Sequence, residues 1–112
     1  MMPKSFSRMR RVESLVQQEI AQIIEFEFKD SPFGLITITH AKVSPDLSCA
    51  KIYVIVHDKD KAKEVVDFLN QQAKSLRHLL GNKIKLRRTP ELHFYYDEEF
   101  ERSSRIAELL HE

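Results

Sequence analysis

A long apolar stripe in the second half of the chain limits the folds open to it. Apolar residues recur there at spacings of four, three, four, three and four, the period of one helix face: Ala62, Val66, Leu69, Ala73, Leu76 and Leu80. The pattern predicts a helix over about residues 61–80, ended by Gly81 in a left-handed conformation. Because such a helix would far exceed the mean length of roughly 11–12 residues, we expect a bend or break near residues 72–75.

The start of the chain carries a second helical pattern. Its apolar residues recur every four positions: Val12, Val16, Ile20 and Ile24. We expect a helix from about residue 8 to about residue 28, preceded by a mobile segment of about residues 1–8. Arginines in the first turn oppose the helix dipole, so helix stability does not explain their presence there.

Three further segments have the composition of strands. Residues 35–43 and 49–56 are rich in β-branched residues, and the short turn between them, which contains Pro45, favours an antiparallel pair. Residues 83–96 predict a third strand. Pro90 cannot donate a backbone hydrogen bond, so it marks an edge strand or a bulge at that point.

The order of these elements is helix, strand, strand, a long helix that is bent or divided, and strand. With 112 residues, the chain is expected to form a single α+β domain over residues 1–112, with helices packed on one face of a three-stranded sheet. Residues 97–112 predict an acidic helical tail. Its first acids, including Asp97 and Glu98, fit a solvated helix start favoured by the dipole better than paired catalytic carboxylates.

The formal net charge of +1 hides an uneven distribution of charge. Residues 1–12 and 68–90 contain no acid, yet they hold ten of the 18 lysines and arginines. Such unpaired cations attract a phosphate backbone, although charges that only keep a surface soluble remain an alternative. The candidate binding residues are Lys74, Arg77, Lys83, Lys85, Arg87 and Arg88, extended by Arg8, Arg10 and Arg11 if the first helix begins nearby.

Strand alternation orders part of this set. In a strand beginning near residue 83, Lys83, Lys85 and Arg87 would share one face, while Arg88 would lie on the other and could pair with an acid. In the following run of aromatic residues, Phe94 should lie in the core. Stacking of a nucleic-acid base on Tyr95 or His93 is an alternative role for this run.

Other kinds of site find little support in the sequence. The one cysteine, Cys49, cannot form a disulfide within the chain, which favours a reducing compartment, and a small half-buried thiol is a simpler interpretation than a nucleophile paired with His40. The five histidines lack the spacing of metal ligands. With two glycines there is no phosphate-binding loop, and no apolar run reaches the roughly 18 residues of a membrane span. We therefore expect no catalytic residue, metal, cofactor or membrane contact.

Five segments of the chain are distinctive in combination: RMRRVESLVQQEIAQII, DSPFG, LITITHAKVSPDLSCAKIYVIV, LRHLLGNKIKLRRTPELHFYYD and the final RIAELL. Taken together, they resemble the ribosome-binding factor A family of bacterial ribosome-assembly proteins. The resemblance implies a type II KH domain with the order α-β-β-α-α-β. The GxxG loop of ordinary KH domains is absent, and the family has an Ala-x-Gly kink in its place. Here that kink corresponds to Gln72, Ala73 and Lys74, so a lysine stands where the family has glycine.

The resemblance also implies a function. It indicates a non-catalytic, monomeric, cytoplasmic assembly factor that binds the small ribosomal subunit and its 16S rRNA during late maturation and rRNA processing, with a role in cold adaptation. An assembly GTPase is a further candidate partner, and no cofactor is implied. The alternative is a protein-binding adaptor domain with no direct RNA contact, docked through its acidic tail or its first helix.

Overall fold

The computed structural model describes the backbone of residues 4–110 and the side chains of residues 8–104. The elements are α1 (Lys4–Glu27), β1 (Ile36–Val43), β2 (Cys49–Val56), a short 3₁₀ helix (Lys59–Lys61), α2 (Ala62–Gln71), α3 (Ala73–Lys83), β3 (Glu91–Tyr96) and α4 (Glu98–Leu110). This order confirms the predicted α+β architecture and the type II KH arrangement. No helix within the described range is long and apolar enough to cross a membrane.

The sheet has the strand order β1-β2-β3 and mixes two kinds of pairing. β1 and β2 are antiparallel, as the short turn between them predicted, and β2 and β3 are parallel. In the parallel register, Ile52 pairs with Phe94 and Tyr53 pairs with Tyr95. Helices α2 and α3 form the crossover that a parallel pair requires.

One face of the sheet carries the core. Its buried side chains alternate along the strands and pack against the apolar stripes of the helices, which include Val16, Ile20, Leu69, Leu76 and Leu80. Helix α1 lies on β1, while α2 and α3 lie on β3. The opposite face of the sheet is not covered by these three helices, and we call it the open face.

The long helical stripe is divided at Gln72, within the expected range. The Gln72 N–H still donates to the carbonyls of Phe68 and Leu69 at 3.1 Å each, and its carbonyl accepts from the Leu76 N–H at 2.9 Å. The backbone at Gln72 has φ −90° and ψ 2°, outside the helical values, so the helix is interrupted there without a glycine.

The predicted role of Gly81 is wrong. Helix α3 passes through it and ends at Lys83, and the left-handed glycine of the chain is Gly34, with φ 71°. A Cβ at Gly81 would lie 3.1 Å from Thr89 Oγ1. The glycine therefore allows the segment before β3 to lie close against α3, which is a packing role rather than a helix stop.

Two predicted boundaries are also wrong. β3 begins at Glu91 rather than near residue 83, because α3 extends to Lys83 and the buried Pro90 has no N–H for a ladder. The expected alternation of three basic residues on one strand face is therefore incorrect. Helix α1 begins at Lys4, earlier than predicted, and residues 1–3 lie outside the described range. The mobility of residues 1–8 stays a prediction.

Candidate nucleic-acid interface

Arg77 connects α3 to the segment that leads into β3. Its Nε and Nη2 atoms both donate to the Thr89 carbonyl, at 3.0 and 2.8 Å, from a half-buried position. Charge-assisted hydrogen bonds of this kind are stronger than neutral ones, so Arg77 fixes residues 84–90 against the helix. The remaining N–H groups of its guanidinium are left for other acceptors.

Lys74 lies one helical turn before Arg77, on the exposed side of α3. A shallow depression beside it is lined by Lys74, Arg77, His78, Gly81, Asn82 and Thr89. Donor groups line this depression while no acid does, so its chemistry fits an anion. The structure therefore brings together Lys74 and Arg77, two of the predicted binding residues, which the sequence analysis had placed on the same helix.

Lys85, Arg87 and Arg88 lie on the irregular segment between α3 and β3, and all three are exposed. Hydrogen bonds from Ser48 and Ser44 lower the pKa of Asp46 to about 2, and the positive charge of Arg88 acts in the same direction. Arg88 therefore lies near Asp46. An acidic neighbour was the alternative that the sequence analysis left open for Arg88. Lys85 and Arg87 form no ion pair with a residue among 8–104.

The first turns of α1 lie at the same end of the sheet as Arg88. The Glu13 carboxylate accepts a hydrogen bond from the Val43 N–H at 2.9 Å, which places this part of α1 beside the end of β1. The Glu91 N–H donates to the Ser48 carbonyl at 3.0 Å, so β3 begins at that end as well. The exposed side chains of Arg8, Arg10 and Arg11 thus lie at this end of the sheet, and their part in binding stays a prediction.

Lys83 lies elsewhere. It lines a groove with Gln22, Ile23, Phe26, Glu27 and Leu79, near the other end of α1. Phe26 is about 22 Å along the helix axis from Arg11, at 1.5 Å per residue. The predicted residues therefore follow a path from Lys83 along residues 84–90 to the start of α1, rather than a single patch. We call this path, together with Lys74 and Arg77, the basic surface.

Sequence reasoning did not predict the environment of Asp97. Instead of lying at a solvated helix start, the residue is buried, with only 6% of its surface exposed. Oδ1 accepts from the Phe100 N–H at 2.9 Å, which caps α4, and Oδ2 accepts from Thr39 Oγ1 at 2.5 Å and lies 3.3 Å from His40 Nδ1. Burial acts to raise the pKa of Asp97, but these hydrogen bonds and the nearby His40 outweigh it, so the pKa lies below its ordinary value.

These features define a class of protein. The order α-β-β-α-α-β, helices on one face of a mixed three-stranded sheet and an exposed cationic path are those of a type II KH-like domain. The chain has only Gly34 and Gly81, so it carries no GxxG loop.

Comparison with known proteins gives the family. The model of the ribosome-binding factor A family matches residues 8–110. A ribosome-binding factor A from Pseudomonas paraeruginosa is 42% identical over 112 residues, which cover 97% of this chain and 88% of the relative. One from Alkalilimnicola ehrlichii is 40% identical over 114 residues, with 99% and 87% covered. The chain belongs to the ribosome-binding factor A family.

Solved structures of similar proteins share the fold. The crystal structure of ribosome-binding factor A from Thermus thermophilus superposes with a TM-score of 0.71 at 22% identity, covering 79% of this chain and 94% of that one. The solution structure of a putative ribosome-binding factor A from Thermotoga maritima gives 0.68 at 24% identity, covering 88% and 93%. A Thermus thermophilus homology model, fitted into a cryo-electron-microscopy map of a 30S complex, gives 0.64 at 22% identity, covering 76% and 90%.

Proposed function

We propose that the protein is a ribosome-assembly factor that binds the small ribosomal subunit and its 16S rRNA during late maturation and rRNA processing. One observation carries this proposal: the chain is about 40% identical to ribosome-binding factors A over nearly its whole length, and a structurally similar member is fitted into a map of a 30S complex. The same family membership supports a role in cold adaptation, a cytoplasmic location, a monomeric state and the absence of catalytic activity. It also supports an assembly GTPase as an additional partner.

The basic surface is the proposed contact with rRNA. Lys74, Lys85 and Arg87 are exposed, and none of them forms an ion pair with a side chain of residues 8–104. Exposed cations without acidic neighbours neutralise phosphates with little loss of existing interactions. Arg77 has a structural role, because its two hydrogen bonds to the Thr89 carbonyl hold the loop that carries Lys85 and Arg87.

Co-sedimentation of the full chain with separated ribosomal subunits tests this proposal. We compare the wild type with a variant in which Lys74, Lys85 and Arg87 are changed to Gln. A matched control changes three exposed cations outside the basic surface, Lys29, Lys63 and Arg102, to Gln. Both variants lose three positive charges, so a difference in their binding cannot be due to net charge.

We expect the wild type to associate with the small subunit and the control to retain this association. The basic-surface variant should bind more weakly, and its slope of log K against log salt should fall by about 0.7–0.9 for each lost phosphate contact. Equal loss in both variants would contradict the assigned surface. Binding that is independent of salt and of all six cations would favour the adaptor alternative, in which a ribosomal protein is the partner.

A further inference from the structure

A row of three aromatic rings crosses the open face of the sheet. His40 on β1 pairs with Tyr53 on β2, and Tyr53 pairs with Tyr95 on β3. The His40 and Tyr53 rings are stacked, with centroids 4.3 Å apart and an interplanar angle of 11°, and the Tyr53 and Tyr95 rings follow at 5.7 Å and 30°. The three strands thus present one continuous stack of rings.

A bulge in β1 brings His40 onto this face. The register shifts between Ile38 and His40, so Thr39 is the extra residue, and the buried positions move from Ile38 to Ala41. Without the bulge, His40 would point toward the core. Gln17 donates to the freed carbonyl of Thr39 at 3.0 Å, which stabilises the bulge from α1.

The buried carboxylate of Asp97 holds the same two residues. It accepts from Thr39 Oγ1 at 2.5 Å and lies 3.3 Å from His40 Nδ1. A carboxylate beside Nδ1 fixes the orientation of an imidazole ring. Asp97 is therefore a positioning residue that keeps His40 stacked on Tyr53.

Two lysines and His93 occupy the next row of the open face, two residues and about 7 Å along the strands. Lys42 pairs with Lys51, and Lys51 pairs with His93. Like charges directly opposite one another destabilise a sheet, and neither lysine forms an ion pair with a residue among 8–104. Glu91 also lies beside this row, with its carboxylate 3.9 Å from His93 Nε2. Sheet stability therefore does not explain the lysine pair, whereas an anionic ligand would.

The stack ends at Tyr95, where it is accessible. Tyr95 is 43% exposed and lies on an edge strand. Beside it, the backbone of Phe94 is already satisfied, because the Asn70 side chain accepts from its N–H at 2.8 Å and donates to its carbonyl at 3.0 Å. This part of the edge is therefore closed to an added strand, while the ring of Tyr95 remains available to a flat ligand.

We propose that the open face binds single-stranded RNA. One base of the RNA stacks on the Tyr95 ring, and phosphates of the RNA backbone lie near Lys42 and Lys51. Exposed aromatic rings beside cations are the features with which proteins hold unpaired bases. This site shares no residue with the basic surface and rests on the proposed function in one respect, because the RNA would be an unpaired segment of rRNA. Charge complementarity favours RNA over a protein partner for this face.

Titration of the full chain with short RNAs tests the site. The chain has three tyrosines and no tryptophan, so its emission comes from Tyr53, Tyr95 and Tyr96, of which the first two belong to the row of rings. Oligoadenylate and oligouridylate of about 12 nucleotides fall within the usual site sizes. Binding should quench the emission and should favour oligoadenylate, since purines stack more strongly. A duplex of equal length should not compete, because its bases are already stacked and paired.

Tyr95→Leu removes the ring, and Tyr95→Phe keeps it. We expect Tyr95→Leu to weaken oligoadenylate binding about tenfold or more, as loss of one stacked base would, and Tyr95→Phe to bind like the wild type. A second variant, with Lys42 and Lys51 changed to Gln, should lower the salt slope by about 0.7 per lysine. Its control changes Lys29 and Lys63 to Gln, and circular dichroism confirms that each variant is folded.

Three outcomes would overturn the proposal. The first is equal oligoadenylate affinity in Tyr95→Leu and Tyr95→Phe, and the second is a salt slope unaffected by the lysine pair. The third is no RNA binding by the wild type together with weaker subunit association of Tyr95→Leu, which would assign the face to a ribosomal protein. These readouts are distinct from the proposed function, whose failure would appear as a wild type that does not associate with the small subunit.

Discussion

Replacing Asp97 by Ala should destabilise the protein by about 2 kcal/mol. Loss of the cap on the Phe100 N–H costs about 1 kcal/mol, as at other helix N-termini. Loss of the charge-assisted hydrogen bond from Thr39 costs about 1.5 kcal/mol, reduced by the second acceptor that Thr39 has in the Tyr53 carbonyl at 3.3 Å. Relief of the buried charge also offsets part of the total.

Urea unfolding followed by circular dichroism measures this change. Glu98→Ala is the matched control, because Glu98 is the next acid along the chain but is exposed, so it should cost about 0.5 kcal/mol or less. For a chain of this size, the Asp97 variant should melt roughly 8–12 °C below the wild type. If the two variants are equally stable, Asp97 does not join α4 to β1 as described.

The effect of Asp97 should also depend on pH. Its pKa is lower in the folded protein than in the unfolded chain, so its ionised form stabilises the fold above the unfolded pKa of about 3.9. That contribution decreases as the pH falls through the folded pKa. The difference in unfolding free energy between the wild type and Asp97→Asn should therefore be larger at about pH 7 than at about pH 3. A difference that grows toward acid pH would show that the folded pKa is raised instead.

Two further substitutions test local geometry. Arg77→Lys should lower the unfolding free energy by about 1 kcal/mol, because an ammonium cannot reproduce two N–H bonds to the Thr89 carbonyl; a variant as stable as the wild type would argue that Arg77 acts in binding only. Gly34→Ala should cost about 1–2 kcal/mol, because φ is 71° there although space is open around the glycine. A melting temperature unchanged by Gly34→Ala would contradict that conformation.

Much of the fold could be predicted from the sequence because its periodicity directly reflects burial. The bounds of β2 match the predicted residues 49–56, and β1 differs from prediction at one end by a single residue. Alternation along residues 49–56 places Ile52 and Val54 on one face of the strand, and both are fully buried. The break at Gln72 was expected from helix length alone, without any residue that forces it.

The errors at Gly81 and at the start of β3 have a common physical cause, because both depend on a tertiary contact. Gly81 looked like a helix stop, yet its function depends on Thr89 lying against the helix. The early end assigned to α3 then made residues 83–90 look like a strand. Local pattern cannot separate a glycine needed for a turn from one needed for close packing.

The open face was only partly visible in the sequence. Tyr95 and His93 were recognised as possible stacking residues from their composition. The bulge at Thr39, which brings His40 beside Tyr53, breaks the alternation of β1 and has no local signature. Its anchor, Asp97, is 58 residues further along the chain and lies beside acids that are exposed. Register and long-range hydrogen bonds, rather than residue types, assemble this row of rings.

Chemical footprinting of 16S rRNA in purified small subunits, with and without the protein, tests the central claim most directly. If the protein binds rRNA through its cationic residues, backbone positions should become protected on addition of the wild type and should remain reactive with the Lys74, Lys85 and Arg87 variant. Protein that co-sediments with the small subunit but leaves rRNA reactivity unchanged would contradict the account and identify a protein-docking adaptor instead.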